Sequence, residues 1–311
     1  MKTKRARLNK LVLAACRLTE KKTMKNTTYI ARSLLRASPS PQRSRAWAFL
    51  LSAAAILTLL LSTASSSFAG SATWLASPAT GDWNTATNWT AGGPPNGPSD
   101  MAFFATSNTT ALSLSANTEV NVIVFNSGAS AFTITASPTF TLTISGTGIT
   151  NNSGIQNFVT AVDGFGFGNY GRISFFNSAT AGSLTMFTNN GGTVINGTGG
   201  HTEFFNTSTA GTGTFTNNSE TSASSEGGFT RFSDTSTAGN GTFTNNGGGT
   251  GGFAFGAGFT EFDSDASTAG NGTFINNGGA ASGTSGGFTR FFKTSTAGNA
   301  TLIANGGPGR R

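Results

Sequence analysis

The sequence predicts an all-β fold, a parallel β-helix or β-solenoid. Two observations carry that expectation. One phrase is written four times: HTEFFNTSTAGTGTFTNN from His201, FTRFSDTSTAGNGTFTNN from Phe229, FTEFDSDASTAGNGTFINN from Phe259 and FTRFFKTSTAGNATLIAN from Phe288. A fainter copy, RISFFNSATAGSLTMFTNN, starts at Arg172. The glycines closing the S-T-A-G phrase, Gly182, Gly211, Gly239, Gly270 and Gly298, are 29, 28, 31 and 28 residues apart. A period of this size marks a solenoid in which each repeat is one supersecondary unit stacked on the last. The second observation is local: each copy holds two short strand-like runs and no helical apolar spacing.

The first run is F-T-R-F, as at Phe229 to Phe232. The second is G-T-F-T-N-N, as at Gly241 to Asn246. Phe, Thr and Ile suit a pleated, half-buried surface. S-T-A-G-N between the runs is made of small and turn-forming residues, with Gly able to take positive φ. Strand alternation assigns faces. Phe204, Phe232, Phe262 and Phe291 form one inward set, and Phe215, Phe243, Phe274 and Leu302 another. Phe229 falls on the outer face. Asn218, Asn246, Asn277 and Asn305 form a third set, suited to a stacked amide ladder. The position before the inward Phe holds Glu203, Arg231, Glu261 and Arg290, so signs alternate along the stack. Read as exposed pairs, these are worth about 0.2–1 kcal/mol each.

In chain order, residues 1–69 stand apart as a signal segment. Thirteen of the 19 Lys and Arg residues lie between Lys2 and Arg45. The uncharged run AWAFLLSAAAILTLLL follows from Ala46, then STASSSFAG, with Ser67 and Ala69 at the −3 and −1 positions of a cut before Gly70. That order reads as a secretory signal, with Met24 as an alternative start. An uncleaved anchor through residues 46–63 is the competing reading. Residues 70–110, with Trp74, Trp83 and Trp89 and the turn-rich GGPPNGPSD, are expected to cover the first coil as an N-terminal cap. A carbohydrate platform is the alternative use of these Trp residues. Residues 111–311 form the solenoid. ALSLSA, EVNVIVFN, AFTITA and FTLTIS are four early strands, and GTGITNNSG from Gly146 echoes the later GTFTNNGG.

After residue 69 there are 6 basic and 11 acidic residues, a balance of 6 − 11 = −5 against +7 for the whole chain. The basic balance therefore belongs to the first segment, and no basic patch is left for nucleic acid. Cys16, the one cysteine, also lies there, so the rest of the chain offers neither a disulfide nor a thiolate metal site.

The phrases SATWLASPATGDWNTATNWTAGGPPNGPSD, LTISGTGITNNSG and STAGNGTFTNNGG resemble the autotransporter-associated β-strand repeat proteins of bacteria, over essentially all residues after 69. The resemblance implies a secreted or surface-displayed β-helix of a Gram-negative-type cell. It also implies a C-terminal outer-membrane barrel or an apolar sorting segment. These 311 residues contain neither, and the repeat pattern stops in GGPGRR after Asn305.

The sequence offers little chemistry. His201, the one histidine, takes the repeat position of Phe229, Phe259 and Phe288 and reads as a substituted ladder residue. A second histidine for a triad or a two-His metal site is missing. Glu261, Asp263 and Asp265, with Arg231 and Arg290 one repeat away, could serve glycoside cleavage or Ca²⁺ binding. At period two they share a face expected to be solvated. The glycine runs lack the lysine and following helix of a phosphate loop. No catalytic, cofactor-binding or metal residue is assigned, no cofactor is expected, and the chain is not read as an enzyme. The expected function is a secreted or cell-surface structural or adhesive repeat protein. A carbohydrate-active β-helix enzyme, lyase or glycosidase, is the alternative. Expected partners are surface glycans or a host or neighbouring cell surface, with end-to-end self-association of the solenoid. Neither nucleic acid nor, outside residues 46–63, membrane is expected.

The signal segment generates a direct test. N-terminal sequencing of the exported product is expected to begin at Gly70. A product that retains Trp47 would favour the anchor.

Overall fold

The computed structural model describes residues 70–90, 93–164, 168–249 and 255–307. The expected signal over residues 1–69 lies outside them. Among the described residues the strands in chain order are β1 (Ala72–Thr73), β2 (Gly97–Phe104), β3 (Ala111–Ser113), β4 (Thr118–Phe125), β5 (Thr133–Ala136), β6 (Thr141–Asn151), β7 (Gln156–Thr160), β8 (Arg172–Phe175), β9 (Thr185–Asn189), β10 (His201–Phe204), β11 (Thr214–Asn217), β12 (Phe229–Phe232), β13 (Thr242–Asn245), β14 (Phe259–Phe262), β15 (Thr273–Asn276), β16 (Phe288–Phe291) and β17 (Thr301–Ala304).

They make a parallel β-solenoid of about eight turns. β1 and the even-numbered strands form a nine-stranded sheet, and the odd-numbered strands from β3 on form an eight-stranded sheet. From β8 onward every strand pairs with its counterpart one repeat away, Phe232 on Phe262 and Phe243 on Phe274. The phrase period is therefore the coil period. The turn between the sheets is paired as well, through bridges linking Thr180, Thr209, Thr237, Thr268 and Thr296.

The core is a herringbone of phenylalanines. Phe175, Phe204, Phe232, Phe262 and Phe291 stack along the axis with ring centroids 4.8–4.9 Å apart. Phe187, Phe215, Phe243 and Phe274 do the same at 4.6–4.8 Å. Across the core the two columns meet edge to face, as Phe232 meets Phe243 at 5.7 Å and 80°. Both arrangements suit the ring quadrupole. The third wall is thin: Ala210, Ala238 and Ala269 are fully buried.

The S-T-A-G phrase has a reason at each position. Ser236 Oγ donates to the Phe204 carbonyl of the preceding coil at 3.2 Å. The Gly211, Gly239 and Gly270 amides donate to the Oγ1 of the Thr two residues earlier at 3.0–3.1 Å. Those glycines have φ of +58 to +60°, so only glycine closes the turn without strain. The other turn places Asn177, Asn206, Asp234 and Lys293 at φ +56°. The coil after Phe262 escapes this with one extra residue: Ser267 follows Phe262 by five, where Ser236 follows Phe232 by four.

Where the chain re-enters the nine-stranded sheet, Gly228, Gly258 and Gly287 pass close to the eight-stranded one. A Cβ there would lie 2.0–2.1 Å from the Asn189, Asn217 or Asn245 carbonyl. Those asparagines form a buried amide column. Asn189, Asn217 and Asn245 each donate Nδ2 to the Oδ1 of the next coil's Asn, at 2.7–2.8 Å. Thr230 donates to Asn217 Oδ1, and Asn217 Nδ2 reaches the Phe259 carbonyl. The neighbouring set expected from the sequence forms a second column in which Asn218, Asn246, Asn277 and Asn305 each donate to the preceding coil's Asn, at 2.9–3.3 Å.

The coiling starts before the clear repeats, as expected. Phe104 stacks on Phe125 at 5.1 Å, and Trp74, Trp83 and Trp89 pack around Phe104. All three indoles are buried, and their N–H groups donate to the carbonyls of Thr109, Pro95 and Trp83 respectively.

Two expectations need correction. GTGITNNSG is not equivalent to GTFTNNGG. β6 runs through Asn151 and pairs with β4, so this stretch lies in the nine-stranded sheet. The position of Phe215 is filled in that coil by Phe158 on β7. Phe229 does lie on the outward side of β12, but that side is covered. Its ring is 3% exposed, stacked between His201 at 4.3 Å and Phe259 at 4.7 Å. Phe255, from the preceding Gly-rich loop, leans on Phe259. Alternation separates the two sides of a strand but does not show which loops fold over them.

Removing either ring therefore deletes buried aromatic contact. Phe243→Ala and Phe229→Ala are each expected to lower stability by roughly 3–5 kcal/mol in denaturant melts. A Phe229→Ala loss of about 0.5 kcal/mol, the scale of a surface change, would contradict the covered outer face.

Candidate functional site

The outward face of the nine-stranded sheet carries a row of paired charges. Strand register places Glu203, Arg231, Glu261 and Arg290 in one row, as the alternating signs required. Arg172 joins it from β8, with Nε 3.3 Å from Glu203 Oε2. Arg231 Nη1 lies 3.3 Å from Glu203 Oε1, and Arg231 Nε pairs with Glu261 Oε1. Arg290 Nε donates to Glu261 Oε2 at 2.8 Å. Each buried carboxylate thus sits between two guanidiniums.

The row is not the exposed stack that alternation alone suggested. The Glu203 and Glu261 side chains are 6% and 3% exposed, while Arg231 and Arg290 keep about a third and a quarter of their surface. Rings and loops close over it. The Arg290 guanidinium lies 4.8–5.3 Å from the ring centroids of Phe255, Phe259, Phe288 and Phe292. Tyr170 packs at a tilt against His201, ring centroids 4.4 Å apart, and receives a hydrogen bond from Arg172. Breaking a buried pair strands its partner charge and costs about 3–5 kcal/mol, above the scale of a surface pair.

Burial sets the electrostatics. It raises the pKa of Glu203 above the usual carboxylate value, with Arg172 and then Arg231 pulling it back in part. Glu226, on the loop before β12, is raised for the same reason against the pull of Arg231. For Arg231 burial works to lower the pKa, but Glu261 and Glu203 outweigh it and the net shift is upward.

His201 is the substituted ladder residue that the sequence indicated. It is 3% exposed. Its Nδ1 faces the Gly199 carbonyl at 3.2 Å, and Arg172 Nε donates to its Nε2 at 2.9 Å. That pattern is the neutral ring with its proton on Nδ1. Burial first, then Arg172, lowers its pKa to about 3.

The carboxylates Glu261, Asp263 and Asp265 do not share a solvated strand face. β14 ends at Phe262, so only Glu261 lies on it, and it is buried. Asp263 is half-buried on the turn, where it accepts from Ser233 Oγ at 2.8 Å, and Asp265 is exposed. Paired carboxylates for glycoside chemistry need room for substrate between them. Here both Glu261 oxygens are held by arginines. Among the described residues no group of three or more His, Cys, Asp or Glu is placed to hold a metal ion. The buried indoles of Trp74, Trp83 and Trp89 present no open ring face to a sugar.

Sequence reasoning passed over Arg172, Tyr170, Glu226 and Phe255. Arg172 was within reach, since it occupies the repeat position of His201 in the faint first copy. Comparison with protein-family models, with curated proteins and with solved structures finds no match for this chain.

The histidine has a pH signature. With a folded pKa of about 3 against an ordinary value near 6.5, the unfolded chain takes up the proton first as pH falls. Its share of stability is intact above about pH 6.5 and lost progressively below. Glu203 and Glu226, raised by burial, act the other way: their share is full below the ordinary carboxylate pKa and is lost as pH rises through the folded value. His201→Phe, which restores the ring of the other copies, removes only the first term. As pH falls from about 7 to about 5, the wild type is expected to lose stability relative to the variant, so that the difference between their unfolding midpoints moves in the variant's favour. A difference that stays constant over that range would show that His201 is not buried neutral.

Proposed function

We propose that this chain is a secreted or cell-surface structural or adhesive β-solenoid, similar in style to the passengers of autotransporter-associated repeat proteins. Its coils supply length and a long lateral face. One observation carries the reading: in coil after coil the repeated buried polar groups are spent on the neighbouring coil. Asn217 bonds Asn245, Ser236 bonds a Phe carbonyl, and Glu261 is held between Arg231 and Arg290. A chain that commits its buried polar chemistry to stacking is built as a scaffold, and repeats add reach at constant cost per coil. The export features of residues 1–69 and the net charge of −5 after them suit an extracellular location.

Surface labelling tests this. An antibody to the solenoid is expected to stain intact source cells or to detect the protein in the medium. Staining that appears only after permeabilisation would reject the reading.

A further inference from the structure

Each repeat carries threonines at several fixed positions, and most have a duty inside the molecule. Thr230 and Thr260 bond the buried Asn column, and Thr237 and Thr268 cap the S-T-A-G turn. The two threonines of T-F-T-N differ. Thr214 and Thr216, Thr242 and Thr244 point outward from the eight-stranded sheet and are half-buried, with no hydroxyl bond to the rest of the described protein. Strand register sets them in two straight columns, Thr214 on Thr242 on Thr273, and Thr188 on Thr216 on Thr244. Nine of the sixteen outward positions on this sheet are Thr, and none is charged or aromatic.

The columns repeat regularly. Rings of the Phe column directly beneath the face stay within 8–11° of parallel from coil to coil. The hydroxyls and methyls therefore form a rectangular mesh. Its period along the axis is 4.6–4.8 Å, as the ring spacing shows. Its period along the strand is about 6.6 Å, two residues of extended chain. The mesh is held by the backbone ladder and the Phe column, so little ordering is needed to present it.

The composition of the face narrows what can occupy it. It lacks the basic residues that nucleic acid needs and the aromatic rings on which sugars stack. It spans roughly 450 Å², four residues of strand by eight coils, against about 800 Å² per partner in a stable protein complex. An uncharged, periodic surface fits an uncharged, periodic partner. The axial mesh length lies close to the shorter repeat of the oxygen lattice on a prism face of hexagonal ice, and the length along the strand is about a tenth short of the longer one.

We propose that the outward face of the eight-stranded sheet binds ice, through water held in register by the threonine hydroxyls and methyls. Ordered water of this kind bonds nearly as well as a direct contact, and each coil that keeps both threonines adds the same increment.

Ice-affinity partitioning of the full chain tests the proposal. The wild type is expected to enter slowly growing ice several-fold more than a globular reference protein, and to inhibit recrystallisation. The double variant Thr216→Lys, Thr244→Lys, which places two charges in the mesh, is expected to fall to the reference level with an unchanged thermal melt. Ala223→Lys, exposed on a loop off this sheet, is expected to behave as the wild type. Wild type excluded from ice as the reference is, or a double variant that partitions equally well, overturns the proposal. So does retention on insoluble neutral polysaccharide, or a dimer in sedimentation, that the double variant abolishes without loss of ice binding.

Discussion

One length governs this molecule: the distance between hydrogen-bonded parallel strands. Because every repeat falls in register on the next, each side chain meets its own counterpart at that distance, above and below. The backbone pairs of β10 with β12 and of β11 with β13 impose this before any side chain is chosen. The residue at each position must then tolerate a copy of itself.

That requirement explains the repeat composition. Phe tolerates its copy by stacking, and the two Phe columns interlock edge to face. Asn tolerates its copy because one amide carries both a donor and an acceptor. Glu cannot be stacked on Glu in a buried row, since like charges would face each other with little water between them. The row from Glu203 to Arg290 therefore departs from strict repetition and alternates sign. His201 departs where its neighbour Arg172 is a cation, and it is held neutral there by burial.

The sequence shows clearly whatever depends on the period. The coil length, the strand spans Phe229–Phe232 and Thr242–Asn245, and the inward columns of Phe232 and Phe243 follow from repetition and alternation alone. It hides what depends on contacts from outside a strand. Phe229 and Glu261 lie on the outward side and are buried, Phe229 between the rings of His201 and Phe259 and Glu261 between Arg231 and Arg290, and no strand pattern encodes that. In T-F-T-N-N both asparagines form columns, and the sequence alone favoured only the second. The inner one is identified by Thr230 and by the glycine at 258, both from the other sheet. GTGITNNSG misled because similar words were taken for similar places, whereas β6 simply continues past Ile144.

The two asparagine columns run in opposite senses. In the inner one each amide hands its proton toward the C-terminal coils, and in the outer one toward the N-terminal coils. Chains of aligned amides polarise one another, and a single column would leave opposite partial charges at its two ends, with a dipole moment that grows with every repeat. Side by side and opposed, the two dipoles cancel coil by coil. The rod can then be lengthened by whole repeats without gathering opposite charge at its ends, which a stack of helices with aligned axes would do.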